Sequence, residues 1–211
     1  MKRLPIGILG SGKGSNCRAI FERIRSGELA AEPRLVVSDV LDAPILDMAR
    51  EFGVANAYLP PGRFRTRLEP ETEEQLVQML RDAGVELVVL AGFMRVLHEP
   101  MLKAFALRII NIHPALLPAF GGRGMYGRRV HEAVLASGAR ESGASVHLVD
   151  EVYDRGEVLA RARVPVLPDD DPDRLAARVL EVEHRLLPAV VLAAARAGRP
   201  VPIPEPVESH P

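Results

Sequence analysis

Short, almost uninterrupted apolar runs alternate with helix-patterned segments along most of this chain, and that alternation limits the fold more than any other feature. Leu4 to Leu9 is one such run, Arg34 to Ser38 a second and Val85 to Ala91 a third. A strand that is apolar on both faces must be covered on both faces, which points to a parallel sheet between helical layers. The intervening segments fit helices: Ala19, Ile20, Phe21 and Ile24 stand at helical spacing, Pro44 to Phe52 is closed by Gly53, and Glu71 to Ala83 is closed by Gly84. Ala55 to Leu59 fits a short third strand. The expectation is an α/β fold with an open, mostly parallel twisted sheet and helices on both faces.

The second half changes character. Ile109-Ile110-Asn111-Ile112-His113-Pro114 is β-branched and extended, and Pro114 ends its pairing. A glycine-rich loop, Phe120 to Gly127, leads into a helix from about Arg128 to Ala136. Ser145 to Leu148 and Val158 to Val166 alternate like partly exposed strands around a turn at Asp154–Gly156, so this half contributes antiparallel strands. Asp171 and Pro172 start a last helix whose apolar face carries Leu175, Val179, Val182, Leu186 and Val190. From Arg199 the chain is proline-rich and reads as an extended tail.

At 211 residues the chain is long enough for a substantial core, and 27 basic against 28 acidic side chains leave a formal charge of −1. No global field draws it to nucleic acid or membrane. No apolar stretch is long enough to span a bilayer, and the single cysteine, Cys17, has no internal disulfide partner, so cytoplasm is the expected compartment. Cys17 falls early in a helix and reads as a small buried residue.

Three segments carry chemistry. Side chains two apart on a strand share a face, so Asn111 and His113 project together while Ile110 and Ile112 point away. An amide donor beside a titratable ring is suited to an oxyanion in acyl transfer. The loop Gly10-Ser11-Gly12-Lys13-Gly14-Ser15-Asn16 joins a strand to a helix, where free backbone N–H groups favour an anion. Gly14 follows Lys13 where a Walker loop needs Ser or Thr, and Ser15 stands where a dinucleotide fingerprint needs a third glycine, so a smaller phosphate monoester fits better. Gly92-Phe93-Met94-Arg95-Val96-Leu97 leaves the third apolar run at its carboxyl end, where open parallel sheets bind ligands, and offers apolar surface to a flat heterocycle. Asp154 sits in a turn from which a carboxylate reaching His113 would raise the imidazole pKa. His147 shares a strand face with Ser145 and is a further candidate for support of the site.

The first loop, Ala-Gly-Phe-Met-Arg, Asn-Ile-His-Pro followed by Ala115-Leu116-Leu117-Pro118, Ser145-Val146-His147 and the Asp154 turn occur in one order. Together they resemble the phosphoribosylglycinamide formyltransferases, over about Leu4 to Ala197. The resemblance implies Asn111, His113 and Asp154 as catalytic amide, imidazole and carboxylate. It implies Gly14, Ser15 and Asn16 as the substrate-phosphate loop and Glu183 as a contact to the ribonucleotide. Met94, Arg95, Val96 and Leu97 would line a folate pocket. An arginine after the third strand would contact ligand; Arg63, Arg65 and Arg67 all qualify, spacing does not choose among them, and Arg67 is carried forward for folate. Lys13, Arg155 and the Gly122–Gly127 segment depart from the commoner family pattern.

The implied reaction passes a formyl group from 10-formyltetrahydrofolate to the amine of glycinamide ribonucleotide, with Asp154 keeping His113 cationic and no metal required. The implied organisation is one domain over 1–198, with 1–105 as the phosphate-binding half and 106–198 as the catalytic and folate half, and a tail over 199–211. The partners are these small molecules, with neither nucleic acid nor membrane, for a monomer or homodimer. Two rivals use the same residues differently: a formyltetrahydrofolate deformylase-type hydrolase, and a non-catalytic dinucleotide-binding module in which Asp39 serves as the ribose-binding acid.

Overall fold

All six residues of the first strand, β1 (Leu4–Leu9), are buried, as a strand covered on both faces requires. The structure is a computed structural model that describes residues 3–205. After β1 come α1 (Ser15–Arg25), β2 (Ala31–Ser38), α2 (Pro44–Glu51), β3 (Asn56–Tyr58), α3 (Pro70–Asp82) and β4 (Leu87–Leu90). Then follow α4 (Glu99–Ala104), β5 (Ile109–His113), α5 (Arg128–Ala136), β6 (Glu141–Leu148), β7 (Val158–Pro165) and α6 (Pro172–Ala197).

One seven-stranded sheet runs in the order β3-β2-β1-β4-β5-β6-β7. Neighbours from β3 through β5 are parallel, while β6 is antiparallel to β5 and β7 antiparallel to β6. The mixed sheet expected from the two sequence halves is the one observed. β2 begins earlier than its apolar run, at Ala31, and includes Pro33. That proline is tolerated because β3 pairs with Val36–Ser38 alone and leaves its side of the strand free.

Alternation along the strands splits the core into two layers. Leu87, Val89, Ile110 and Ile112 face the layer containing α1, α2 and α6. Val88, Leu90 and Ile109 face Leu76 and Leu80 of α3 and Met101 of α4. Asn111 and His113 continue the face of Ile109, so the polar pair leaves the sheet where the second layer ends. In α6, the Asp171 carboxylate caps the first turn by accepting from the N–H groups of Asp173 (2.9 Å) and Arg174 (2.8 Å), with Pro172 inside it.

Chain order reverses direction across the sheet between β1 and β4, and the loops that leave these two strands bound a crevice. Gly10 lets the loops meet: a Cβ there would stand 2.9 Å from the Ala91 carbonyl oxygen and 2.6 Å from Ile45 Cδ1. Beyond α6 the tail lies along β7, with the Ile203 N–H donating to the Leu159 carbonyl at 2.9 Å. Residues 206–211 of the expected tail lie outside the described residues. No described helix is long and apolar enough to cross a membrane.

Candidate active site

A cleft of about 510 Å³ opens where β4 and β5 end, and Asn111 and His113 line it with Asp154 and His147. His113 is buried, and its Nε2 lies 2.8 Å from the Phe120 carbonyl oxygen. A carbonyl can accept and never donate, so Nε2 carries the hydrogen and Nδ1 is the free position of the neutral ring. Nδ1 faces Asp154 Oδ2 at 3.7 Å. Asp154 sits in a left-handed turn at φ 53°, and its Oδ2 accepts from the Gly122 N–H at 2.8 Å. The glycine-rich loop therefore holds both catalytic candidates, His113 through Phe120 and Asp154 through Gly122.

Asn111 pairs directly across the β5–β6 ladder with His147. His147 Nε2 lies 3.1 Å from Asn111 Nδ2 and 3.4 Å from Asp154 Oδ1, and its Nδ1 lies 2.8 Å from the Leu148 carbonyl oxygen. Ser145, two residues earlier, donates to the Ala115 carbonyl at 2.7 Å and accepts from the Leu117 N–H at 3.0 Å, which fixes the turn after Pro114.

The expected rise in the His113 pKa is reversed. Burial pushes the imidazole below the ordinary histidine value, and the Asp154 charge pulls it back up without winning. At 4% exposure the ring has lost too much hydration for one carboxylate at 3.7 Å to restore its charge. Burial thus favours the neutral ring, which with Nε2 bonded to Phe120 carries its lone pair at Nδ1.

At the other end of the cleft, Asn16 of α1 donates from Nδ2 to Glu183 Oε2 of α6 at 2.6 Å, and both residues line the cleft. Asn16 Oδ1 is buried without a hydrogen-bond partner, an acceptor left over for a donor in the cleft. Burial pushes the Glu183 carboxyl up against the opposing effect of the Asn16 bond. Of the proposed phosphate loop, Asn16 reaches the cleft lining, and Gly14 and Ser15 lie outside it. Gly14, at φ 74°, is the N-cap of α1, where a Cβ would come within 2.7 Å of Ile45 Cγ1.

Met94, Arg95, Val96 and Leu97 all line the cleft, but the Arg95 side chain turns into the protein. Its Nε donates to Asp39 Oδ2 at 2.6 Å, and its Nη1 donates to the carbonyls of Phe64 (2.7 Å) and Arg65. Asp39 Oδ1 accepts from Ser11 Oγ at 2.5 Å, and Ser11 Oγ accepts from the Met94 N–H at 2.9 Å. Asp39 is buried, carries a bond on each oxygen and stays out of the cleft lining, which does not suit the ribose-binding acid of the dinucleotide rival. Arg67 lies over the Phe64 ring, 4.0 Å from its centroid, and Arg63 lies 5.1 Å from the same centroid. Thr66, between them, reaches the cleft lining instead, and none of Arg63, Arg65 and Arg67 does. Among the described residues no group of His, Cys, Asp or Glu is placed to hold a metal ion.

The formyl transferase family pattern matches residues 4–191. The chain belongs to that family. It is 42% identical over 190 residues to the chloroplastic phosphoribosylglycinamide formyltransferase of Arabidopsis thaliana, covering 90% of this chain and 65% of that one. It thus spans just under two thirds of the plant relative's length. It is 36% identical over 188 residues to the Escherichia coli phosphoribosylglycinamide formyltransferase, covering 89% of this chain and 85% of that one. The glycinamide ribonucleotide transformylase 1 of Symbiobacterium toebii superposes with a TM-score of 0.86 at 37% identity, over 93% of this chain and 89% of that one.

For a formyl transferase, the cleft holds three residues whose place the sequence left open. His147 was a candidate without an assigned partner, and its signal was alternation with Ser145 on a strand opposite Asn111. Tyr126 and Arg129 also line the cleft, with the Arg129 guanidinium 5.2 Å from the Tyr126 ring centroid. Neither had a sequence signal beyond its place near the glycine-rich loop.

Proposed function

We propose that this chain transfers the formyl group of 10-formyltetrahydrofolate to the amine of glycinamide ribonucleotide, a step of purine biosynthesis. The observation that carries the proposal is the meeting of Asn111, His113 and Asp154 on one cleft whose far end holds the Asn16–Glu183 pair. The folate ring would lie along Met94–Leu97, whose Met94 and Val96 N–H groups are held by Ser11 and Thr66 and fix the shape of the segment. The ribonucleotide would place its phosphate at the start of α1 near Gly14, Ser15 and Asn16, and its amide against Asn16 Oδ1 and Glu183.

In the mechanism we infer, the substrate amine attacks the formyl carbon, and a C–N bond forms as the carbonyl oxygen becomes an oxyanion. Asn111 donates an N–H to that oxygen. Neutral His113 takes a proton from the attacking nitrogen at Nδ1, and the Asp154 carboxylate beside it stabilises the imidazolium that results. The same proton then passes to the folate nitrogen as its bond to carbon breaks, which returns His113 to the neutral form. Burial and carboxylate divide the work: one keeps the ring a base at rest, the other lets it hold charge for the lifetime of the intermediate. A cytoplasmic setting suits the unbridged, buried Cys17.

The test is formyl transfer measured with purified protein in the presence and absence of the ribonucleotide. Formylated ribonucleotide formed in proportion to folate consumed supports the proposal. Formate released at the same rate without the ribonucleotide sinks it and favours the hydrolase.

A further inference from the structure

We propose that His147 is a positioning residue that sets the orientation of the Asn111 amide through a fixed tautomer; the proposal rests on the acyl-transfer role given to Asn111 above. His147 is buried, and its Nδ1 is 2.8 Å from the carbonyl oxygen of Leu148, its own neighbour on β6. That oxygen requires a donor, so the ring hydrogen is on Nδ1, and Nε2 of the neutral ring offers a lone pair.

Two groups face Nε2, and they ask opposite things of it: Asn111 Nδ2 at 3.1 Å offers a donor, and Asp154 Oδ1 at 3.4 Å, the longer contact, competes as an acceptor. With a lone pair at Nε2, Asn111 must turn its NH₂ group toward the imidazole and its Oδ1 away. One N–H of that group is then held, and the other is directed to the cleft as the donor that an oxyanion needs. With a proton at Nε2 the amide would be driven to reverse and present an acceptor to the oxyanion, which repels it.

The irregular register between Val146 and His147 serves this arrangement. β6 pairs with β7 up to Val146 and shifts at His147, and the ring stays directly across from Asn111 on β5. The bonding is local to β5 and β6, with Asp154 the remaining charged group against Nε2 and His113 beyond it.

A double-mutant cycle tests the proposal. Ribonucleotide-dependent formyl transfer is first measured in the wild type; its absence overturns the reading on which this inference rests, and its presence leaves the cycle to decide the inference alone. Replacing His147→Leu lowers kcat by about 10²-fold, the scale for misplacing one positioned group, with each KM moving less than about 3-fold. In the Asn111→Ala background the same replacement costs less than about 3-fold, because the group it positions is gone. His147→Gln, which restores an acceptor near Nε2, recovers most of the lost kcat. Equal losses in both backgrounds, or a loss carried by KM, overturn the proposal. Should His147→Leu fail to fold, the ¹⁵N resonances of the wild-type imidazole decide it: a protonated Nδ1 with a bare Nε2 is expected, and a proton on Nε2 overturns it.

Discussion

In the parallel half of the sheet, buried Asp39 meets Ser11 at 2.5 Å and Arg95 at 2.6 Å, and Arg95 Nη1 donates to two carbonyls. In the antiparallel half, Asn111, His113, His147 and Asp154 stand 3.1 to 3.7 Å apart, and the free position of His113 has no hydrogen bond. Both clusters are polar and at least half-buried, and both border the same cleft. The first bonds chiefly within itself and ties four loops together, those after β1, β2, β3 and β4. The second keeps unspent donors and acceptors, at a cost in stability that a folded chain tolerates where a substrate will complete the bonding.

The largest test of that contrast is Asp39→Ala. It strands the Arg95 guanidinium in a partly buried site and unties the loop after β2 from Ser11 and from the 92–97 segment. A loss of about 3–5 kcal/mol in denaturant unfolding is expected, the cost of breaking a buried pair from one side. A loss below about 1 kcal/mol would place the pair with ordinary surface ion pairs and end its role as the tie.

Asn111→Ala probes the other cluster and has the opposite signature. Turnover falls by about 10²–10³-fold, the usual cost of one oxyanion donor. The unfolding midpoint moves by less than about 4 °C, since the amide has no buried charge to strand. Wild-type turnover with the fold intact would remove Asn111 from the mechanism.

Much of this was readable in the residues. The apolar runs of β1 and β4 announced a sheet covered on both faces, and the period of two placed Asn111 beside His113 while Ile110 and Ile112 went to the core. The carboxylate of Asp171 and the ring of Pro172 marked the start of α6. Side-chain destinations were another matter. Arg95 stood in a ligand-binding segment, and nothing local showed that Asp39, 56 residues away, would take its guanidinium. The His113 pKa went the other way for a similar reason: a sequence shows a carboxylate that might approach, and hydration lost on burial depends on the whole fold. His147 needed the β5–β6 register before its partner could be named.

Asp154→Asn sharpens the point about pKa. The carboxylate raises His113's affinity for protons against burial, so its removal leaves only the Phe120 carbonyl bond to oppose burial. The acid limb of kcat/KM, which lies below the ordinary histidine value in the wild type, moves to lower pH still. Turnover at pH 7 falls by about 10²-fold as the imidazolium loses its counter-charge. A limb that stays in place would show that His113 is not the group titrating.

The smallest effect is on stability. Burial holds His113, His131 and His184 below the ordinary 6.5, with the His113 charge adding to the effect on His131 and with Asp154 and Glu22 opposing it at His113 and His184. In each case the unfolded chain binds its proton first as pH falls, so stability declines below about pH 6.5 and levels off under the folded values. Glu73 in the parallel half works in reverse. Burial raises its carboxyl against the bond it accepts from the His98 N–H, so its contribution is present at low pH and is lost as pH rises through the folded value. Replacing His131→Gln should flatten the fall in unfolding midpoint between pH 7 and pH 5 while leaving the acid limb of activity in place. If the slope is unchanged in that variant, His131 is not among the groups that make the fold acid-sensitive, and His113 and His184 are left to carry the effect.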